Sequence, residues 1–161
     1  MSPALPPAAQ SMTMLAAAVL VHDPATDRVL LLRRGPAAKF APGKWDLPVG
    51  KSDPGEPVTT TAVRELHEET GVVVKESALR LAHVLHAARG VEAPNGFVTM
   101  VFRTEEWSGE PRNVEPTKHS EVRWVAVDAL PTNDTEMVFG GERLVERCLS
   151  GTVDLTLLGW S

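Results

Sequence analysis

Three glutamates in AVRELHEETGV (residues 62–72), namely Glu65, Glu68 and Glu69, have types and spacing that suit chemistry. They sit at i, i+3 and i+4, which places them side by side on one face of a helix. Like charges at that spacing repel by roughly 0.2–0.5 kcal/mol per pair. Glu68 and Glu69 also fall in the last turn, where the helix dipole disfavours anions. A cluster that is locally unfavourable becomes favourable around a hard divalent cation. Mg²⁺ takes oxygen ligands and commonly bridges carboxylates to phosphates. It also lowers the pKa of a bound water and so creates a nucleophile. For the helix alone, a solvated acidic face is the plainer reading.

The pattern extends backwards through GKSDPGEPVTTTAVRELHEETGV (50–72). Gly50 is followed after five residues by Glu56 and, after seven more, by Arg64-Glu65-Leu66; then come Glu68-Glu69 and Gly71-Val72. With Gly50, Glu56 and Arg64 in register, the metal-site reading outweighs the solvated face. The stretch resembles the Nudix box, G-x5-E-x7-R-E-U-x-E-E-x-G-U with U aliphatic, of the Nudix hydrolase family. That family cleaves nucleoside diphosphates linked to another group X.

The resemblance implies roles. Glu68 and Glu69 become metal ligands, Glu65 a ligand or part of the base arrangement, and the Gly50 carbonyl a further donor. Arg64 and Glu56 orient the carboxylates. The implied cofactor is Mg²⁺, with Mn²⁺ as a substitute. WDLPVG (45–50) is similar to the family's W-x-L-P-G-G lead-in, with Val49 replacing a glycine. Residues 107–131 are similar to MutT-type members that cleave nucleoside triphosphates. There Glu110 ranks first as the additional glutamate that binds metal or acts as base, and Glu115 is the competitor. Asn133 lies near the position of a base-reading asparagine. The catalytic set expected on this basis is Glu65, Glu68, Glu69, Arg64 and Glu110.

Elements must hold these groups. Ala16–Val21 and Val29–Arg33 read as strands joined by a DPATD turn. Residues 36–57 form a long loop with five prolines, and loops of that length are usually functional. Pro57 suits the first helical position, and the helix runs to about Thr70 with Gly71 as its stop. Thr59, Ala62, Val63, Leu66 and Thr70 make its packing face. A short strand is expected at 72–74, longer ones at 79–86, 97–103 and 122–127, and a second helix over Glu136–Leu149, weakened by Gly140-Gly141. Arg33 and Arg34 end the second strand and are candidates for phosphate contacts, as are Lys39, Lys44 and Lys51. Phe40, Trp45, Phe97 and Trp107 have rings that stack on a base or fill the core.

The 161 residues suit one domain, with a disordered tail over 1–14 and a single domain over 15–161. Strands plus two helices on one core make an α+β class. The resemblance implies a Nudix α/β/α sandwich with a mixed, curled β-sheet between helices. A net charge of −5 argues against a nucleic acid polymer as partner. The one cysteine, Cys148, excludes an intrachain disulfide and fits a cytoplasmic location. No apolar run approaches the ~20 residues that span a membrane. The expectation is a monomeric or homodimeric Mg²⁺-dependent pyrophosphohydrolase acting on a small nucleotide substrate. An ADP-sugar or dinucleoside polyphosphate hydrolase and a non-catalytic nucleotide-binding domain are the alternatives.

Overall fold

The computed structural model describes residues 3–88, 93–131, 136–138 and 141–160. Its centre is LAAAVLV. Every residue of 16–21 is buried, so β1 (Met14–Asp23) is covered on both faces. Alternation divides the strand. Ala17, Val19 and Val21 face one core, while Ala18 and Leu20 face the other. α2 (Val58–Thr70) packs on the first side through Ala62 and Leu66. α3 (Gly141–Leu149) packs on the second through Leu144, Val145 and Cys148. The result is the expected α+β sandwich.

β2 (Arg28–Arg34) leaves β1 through a hairpin but pairs with it only at His22↔Val29 and Asp23↔Arg28. Beyond those pairs the two strands diverge. The returning chain fills the fork: β3 (Trp45–Asp46) pairs with β2, and β4 (Val49–Lys51) pairs with β1. β6 (Phe97–Thr104) lies parallel to the other edge of β1, with β5 (Arg80–Ala87) antiparallel beyond it. β7 (His119–Ala126) pairs antiparallel with β2, and β8 (Leu155–Leu158) runs parallel to β5. The sheet is therefore mixed and open.

Several local expectations shift. Pro57 is the residue before α2 rather than its first turn, and Gly71 closes the helix with φ 77°. The described residues 136–138 lie outside α3, which is Gly141–Leu149. In the segment expected as a disordered tail, Pro7–Gln10 form a short helix, α1, and the Gln10 carbonyl accepts from Asn95. Among the described residues no helix is long and apolar enough to cross a membrane.

Candidate active site

The three glutamates of α2 occupy different environments. The side chain of Glu69 is 5% exposed, that of Glu65 17% and that of Glu68 50%. Glu69 points at the fork, where the Val49 N–H donates to its Oε1 at 3.3 Å. The Glu65 carboxylate lies against Gly50 so closely that a Cβ there would overlap it. A side chain at position 50 would have to displace the Glu65 carboxylate from this position.

Arg64 organises the outer side. Its Nε donates to Glu56 Oε2 at 2.7 Å and its Nη2 to Glu56 Oε1 at 2.9 Å, a two-pronged grip. Its Nη1 reaches Glu65 Oε1 at 2.9 Å and Glu68 Oε2 at 3.2 Å. The Thr61 hydroxyl adds a hydrogen bond to Glu56 at 2.6 Å. The Arg64 hydrogen bonds, aided by Thr61, hold the Glu56 carboxyl down at about 2. Glu65 and Glu69 go the other way. Burial raises Glu65 despite Arg64. Burial raises Glu69 well above the usual carboxylate range, and the charges of Glu65, Asp46 and Glu115 add to the effect.

The polar loop after β6 brings a further acid to the cleft, and it is Glu115, not the first-ranked Glu110. The loop is laced to the C-terminal end of α2 by backbone bonds. Ser108 exchanges bonds with Val73, the Arg112 N–H donates to the Thr70 carbonyl, and the Val114 N–H donates to the Glu69 carbonyl. That path carries Glu115 into the cleft beside Glu65, Glu69, Thr117, Lys118 and His119. Glu110 follows the turn at Gly109, is exposed, and does not line the cleft. Lys118 holds Glu115 through an ion pair of 2.8 Å. His119 is buried, with Nε2 3.6 Å from Glu69 Oε2.

The paired arginines separate, as strand alternation requires. Arg34 lines the cleft; Arg33 is exposed, outside it, and donates to the Gly43 carbonyl. Lys51 lines the cleft, whereas Lys39 and Lys44 do not. A second cavity, largely apolar, opens alongside. It shares Arg34, Val49, Gly50 and Lys51 with the acidic cleft and is also lined by Phe40, Asp46 and Phe97. Trp45 is buried in the core, and Trp107 packs on Trp124 at 5.1 Å. Asn133 lies outside the described residues. Sequence reasoning passed over Asp46, Lys118 and His119. Asp46 was findable, because it is four residues from Gly50 in the lead-in.

Among the described residues no three acidic, histidine or cysteine side chains already converge as a metal cage. The donor set still fits a hard cation. Glu65 and Glu69 offer only oxygen, both are held above their usual pKa by burial, and the Arg64 guanidinium is divided among Glu56, Glu65 and Glu68.

An acidic helix face is thus set against a glycine at a sheet fork, inside an α+β sandwich. The sequence matches the NUDIX domain model over residues 12–148, and the chain belongs to that family. The protein is similar to the Nudix hydrolase YvcI of Bacillus subtilis, with 28% identity over 61% of this chain and 58% of that one. It is also similar to a Mycobacterium tuberculosis protein with the provisional name 8-oxo-dGTP diphosphatase 3, with 32% identity over 69% of this chain and 51% of that one. The matches thus span only a little over half the length of these relatives. Among solved structures, the MutT Nudix hydrolase of Burkholderia pseudomallei superposes with a TM-score of 0.67 and 30% identity, covering 88% of this chain and 100% of that chain. An ADP-ribose pyrophosphatase from Streptococcus suis superposes at a TM-score of 0.61 with 19% identity, covering 90% of this chain and 100% of that chain. At that identity it shares the fold alone.

Proposed function

We propose that the protein is a Mg²⁺-dependent pyrophosphohydrolase that cleaves a nucleoside triphosphate, or another nucleoside diphosphate linked to X, by attack of water at phosphorus. One observation carries the reading: the acidic cleft and an apolar cavity lie side by side and share the lining residues Arg34, Val49, Gly50 and Lys51. A ligand charged at one end and flat and apolar at the other fits that arrangement.

When bound, a divalent cation supplies Lewis-acid polarisation and neutralises diphosphate charge. Glu65, Glu69 and the exposed Glu68 would hold it, with the Gly50 carbonyl beside them; Mn²⁺ would serve in place of Mg²⁺. Arg64 keeps Glu65 and Glu68 in orientation while Glu56 holds Arg64. Lys51 and Lys118 line the acidic cleft and would meet phosphate oxygens, and Arg34, which lines both cavities, would lie between phosphate and base. Glu115, oriented by Lys118, is placed to accept the proton of the attacking water. Most of the rate acceleration comes from positioning and charge stabilisation.

The test is a nucleotide panel with Mg²⁺, products identified by mass. The expected products are a nucleoside monophosphate plus pyrophosphate. No cleavage of nucleoside triphosphates, ADP-sugars or dinucleoside polyphosphates would overturn the reading in favour of a binding domain.

A further inference from the structure

The two faces of the sheet are covered unequally. On one, α3 lies over β5 and β6, and Leu158 of β8 packs into the same core. On the other, α2 packs on β1 and β4. Among the described residues, the core beneath α2 contains nothing from β5 or β8. Strand register sets what that second side presents. Leu15, Val98, His86 and Leu157 form one row across β1, β6, β5 and β8. Ala17, Met100, Val84 and Leu155 form the next. Rows two residues apart share a face, and Ala17 places both on the α2 side. Neither row holds an Asp, Glu, Lys or Arg.

Exposure is greatest at the outer strand. Leu155 is 52% exposed and Leu157 59%, while Val84, His86, Val98 and Met100 are half-buried. The outer strand is also fixed in place. Trp160, itself 47% exposed, donates from Nε1 to the His86 carbonyl at 3.0 Å, with its ring centre 4.6 Å from that of His86. On the α3 side, Thr156 Oγ1 accepts from Arg147 Nη1 at 2.8 Å and lies 2.7 Å from His83 Nε2. The ladder does not require leucine at 155 and 157: a strand wet on one side ordinarily alternates polar residues outward. With Leu15, Leu81 and Val153, these side chains expose on the order of 600 Å². That is near the ~800 Å² each partner gives to a standard interface.

We propose that this face is the twofold interface of a homodimer. Its chemistry selects a second copy over other occupants. With no acidic or basic side chain in either row, it offers nothing to grip a charged peptide or a polyanion, and it meets no repulsion from its own image. Its area is that of one side of a stable pair. A twofold lying in the face sets Leu155 and Leu157 of each copy over the half-buried β5–β6 surface of the other, with Trp160 as the aromatic anchor. The acidic cleft stands at β4, across β1 from β6, and stays open in such a pair. The inference is independent of the proposed reaction.

The test is sedimentation equilibrium of the whole chain. An interface of this size holds at micromolar concentration or below, so the wild type should be a dimer at roughly 50 µM. Leu157→Glu buries a charge in the interface and should weaken association by about 100-fold or more, leaving monomer at the same concentration. Val73→Glu, at an exposed apolar position outside both rows, should remain dimeric. If circular dichroism shows that Leu157→Glu does not fold, hydrogen exchange of the wild type decides. Residues 84–86, 98–100 and 155–157 should gain protection between roughly 1 and 100 µM. A wild type that stays monomeric over that range would overturn the inference in favour of a foreign partner. A dimer that survives folded Leu157→Glu, or protection gained only elsewhere, would overturn it in favour of another face.

Discussion

Two sets of carboxylates lie around α2 and meet opposite fates. The outer one, Glu56, is gripped by Arg64, Thr61 and the Asp53 N–H, and sits at about 2. The inner one is Glu65 and Glu69, faced by Glu115: burial raises both, with the charge of Glu68 adding at Glu65 and the charges of Glu65, Asp46 and Glu115 adding at Glu69. Residue type is the same in both. The difference lies in where one guanidinium spends its donors and which carboxylates the fork buries. A satisfied cluster is part of the scaffold. The buried, mutually repelling cluster is the one the proposed function assigns to a cation.

Five substitutions break or sharpen that contrast. Glu69→Gln should lower kcat by on the order of 10²–10³-fold, as loss of a central electrostatic group does, while the fold persists. Steady-state pyrophosphate release together with circular dichroism checks it. Glu115→Gln should cost roughly 10²-fold if it takes the proton, and Glu110→Gln should stay within about twofold. Equal loss from both would erase the structural ranking. Arg64→Lys keeps the charge but not the fork and should cost about 10- to 100-fold, seen mainly in kcat. The smallest effect is on stability. The depressed pKa of Glu56 contributes stability that is full above the unfolded value of 4.5 and is lost as pH falls through about 2. Glu56→Gln should therefore flatten the acid arm of the melting-temperature curve below about pH 4.5 and leave the neutral region with a smaller, pH-independent change.

The helix that carries the chemistry was readable because its signals are local. Periodicity placed Ala62 and Leu66 inward, and Gly71 stopped the helix with the expected left-handed turn. The long strands were readable for the same reason. What local sequence could not reveal depends on distant pairing. β3 and β4 are only two and three residues long and exist because the β1–β2 fork needs filling. That fork delivers Asp46 to the cavity. Glu110 outranked Glu115 on motif position alone, whereas backbone bonds from residues 112 and 114 to the end of α2 bring Glu115, and not Glu110, to the cleft lining. Period-two alternation had already separated Arg33 from Arg34, a signal present in RVLLLRR but not used. LTLL, now β8, was likewise passed over; its alternation is real, but it forms a strand only because the β5 edge accepts it.

The central claim is that the inner cluster, not the outer one, binds a divalent cation. Titration of Mn²⁺ into the free protein, followed by electron paramagnetic resonance, tests it without turnover. The account predicts saturable Mn²⁺ binding in the wild type that Mg²⁺ displaces, largely lost in Glu69→Gln and retained in Glu110→Gln. Mn²⁺ binding that survives unchanged in Glu69→Gln would contradict it.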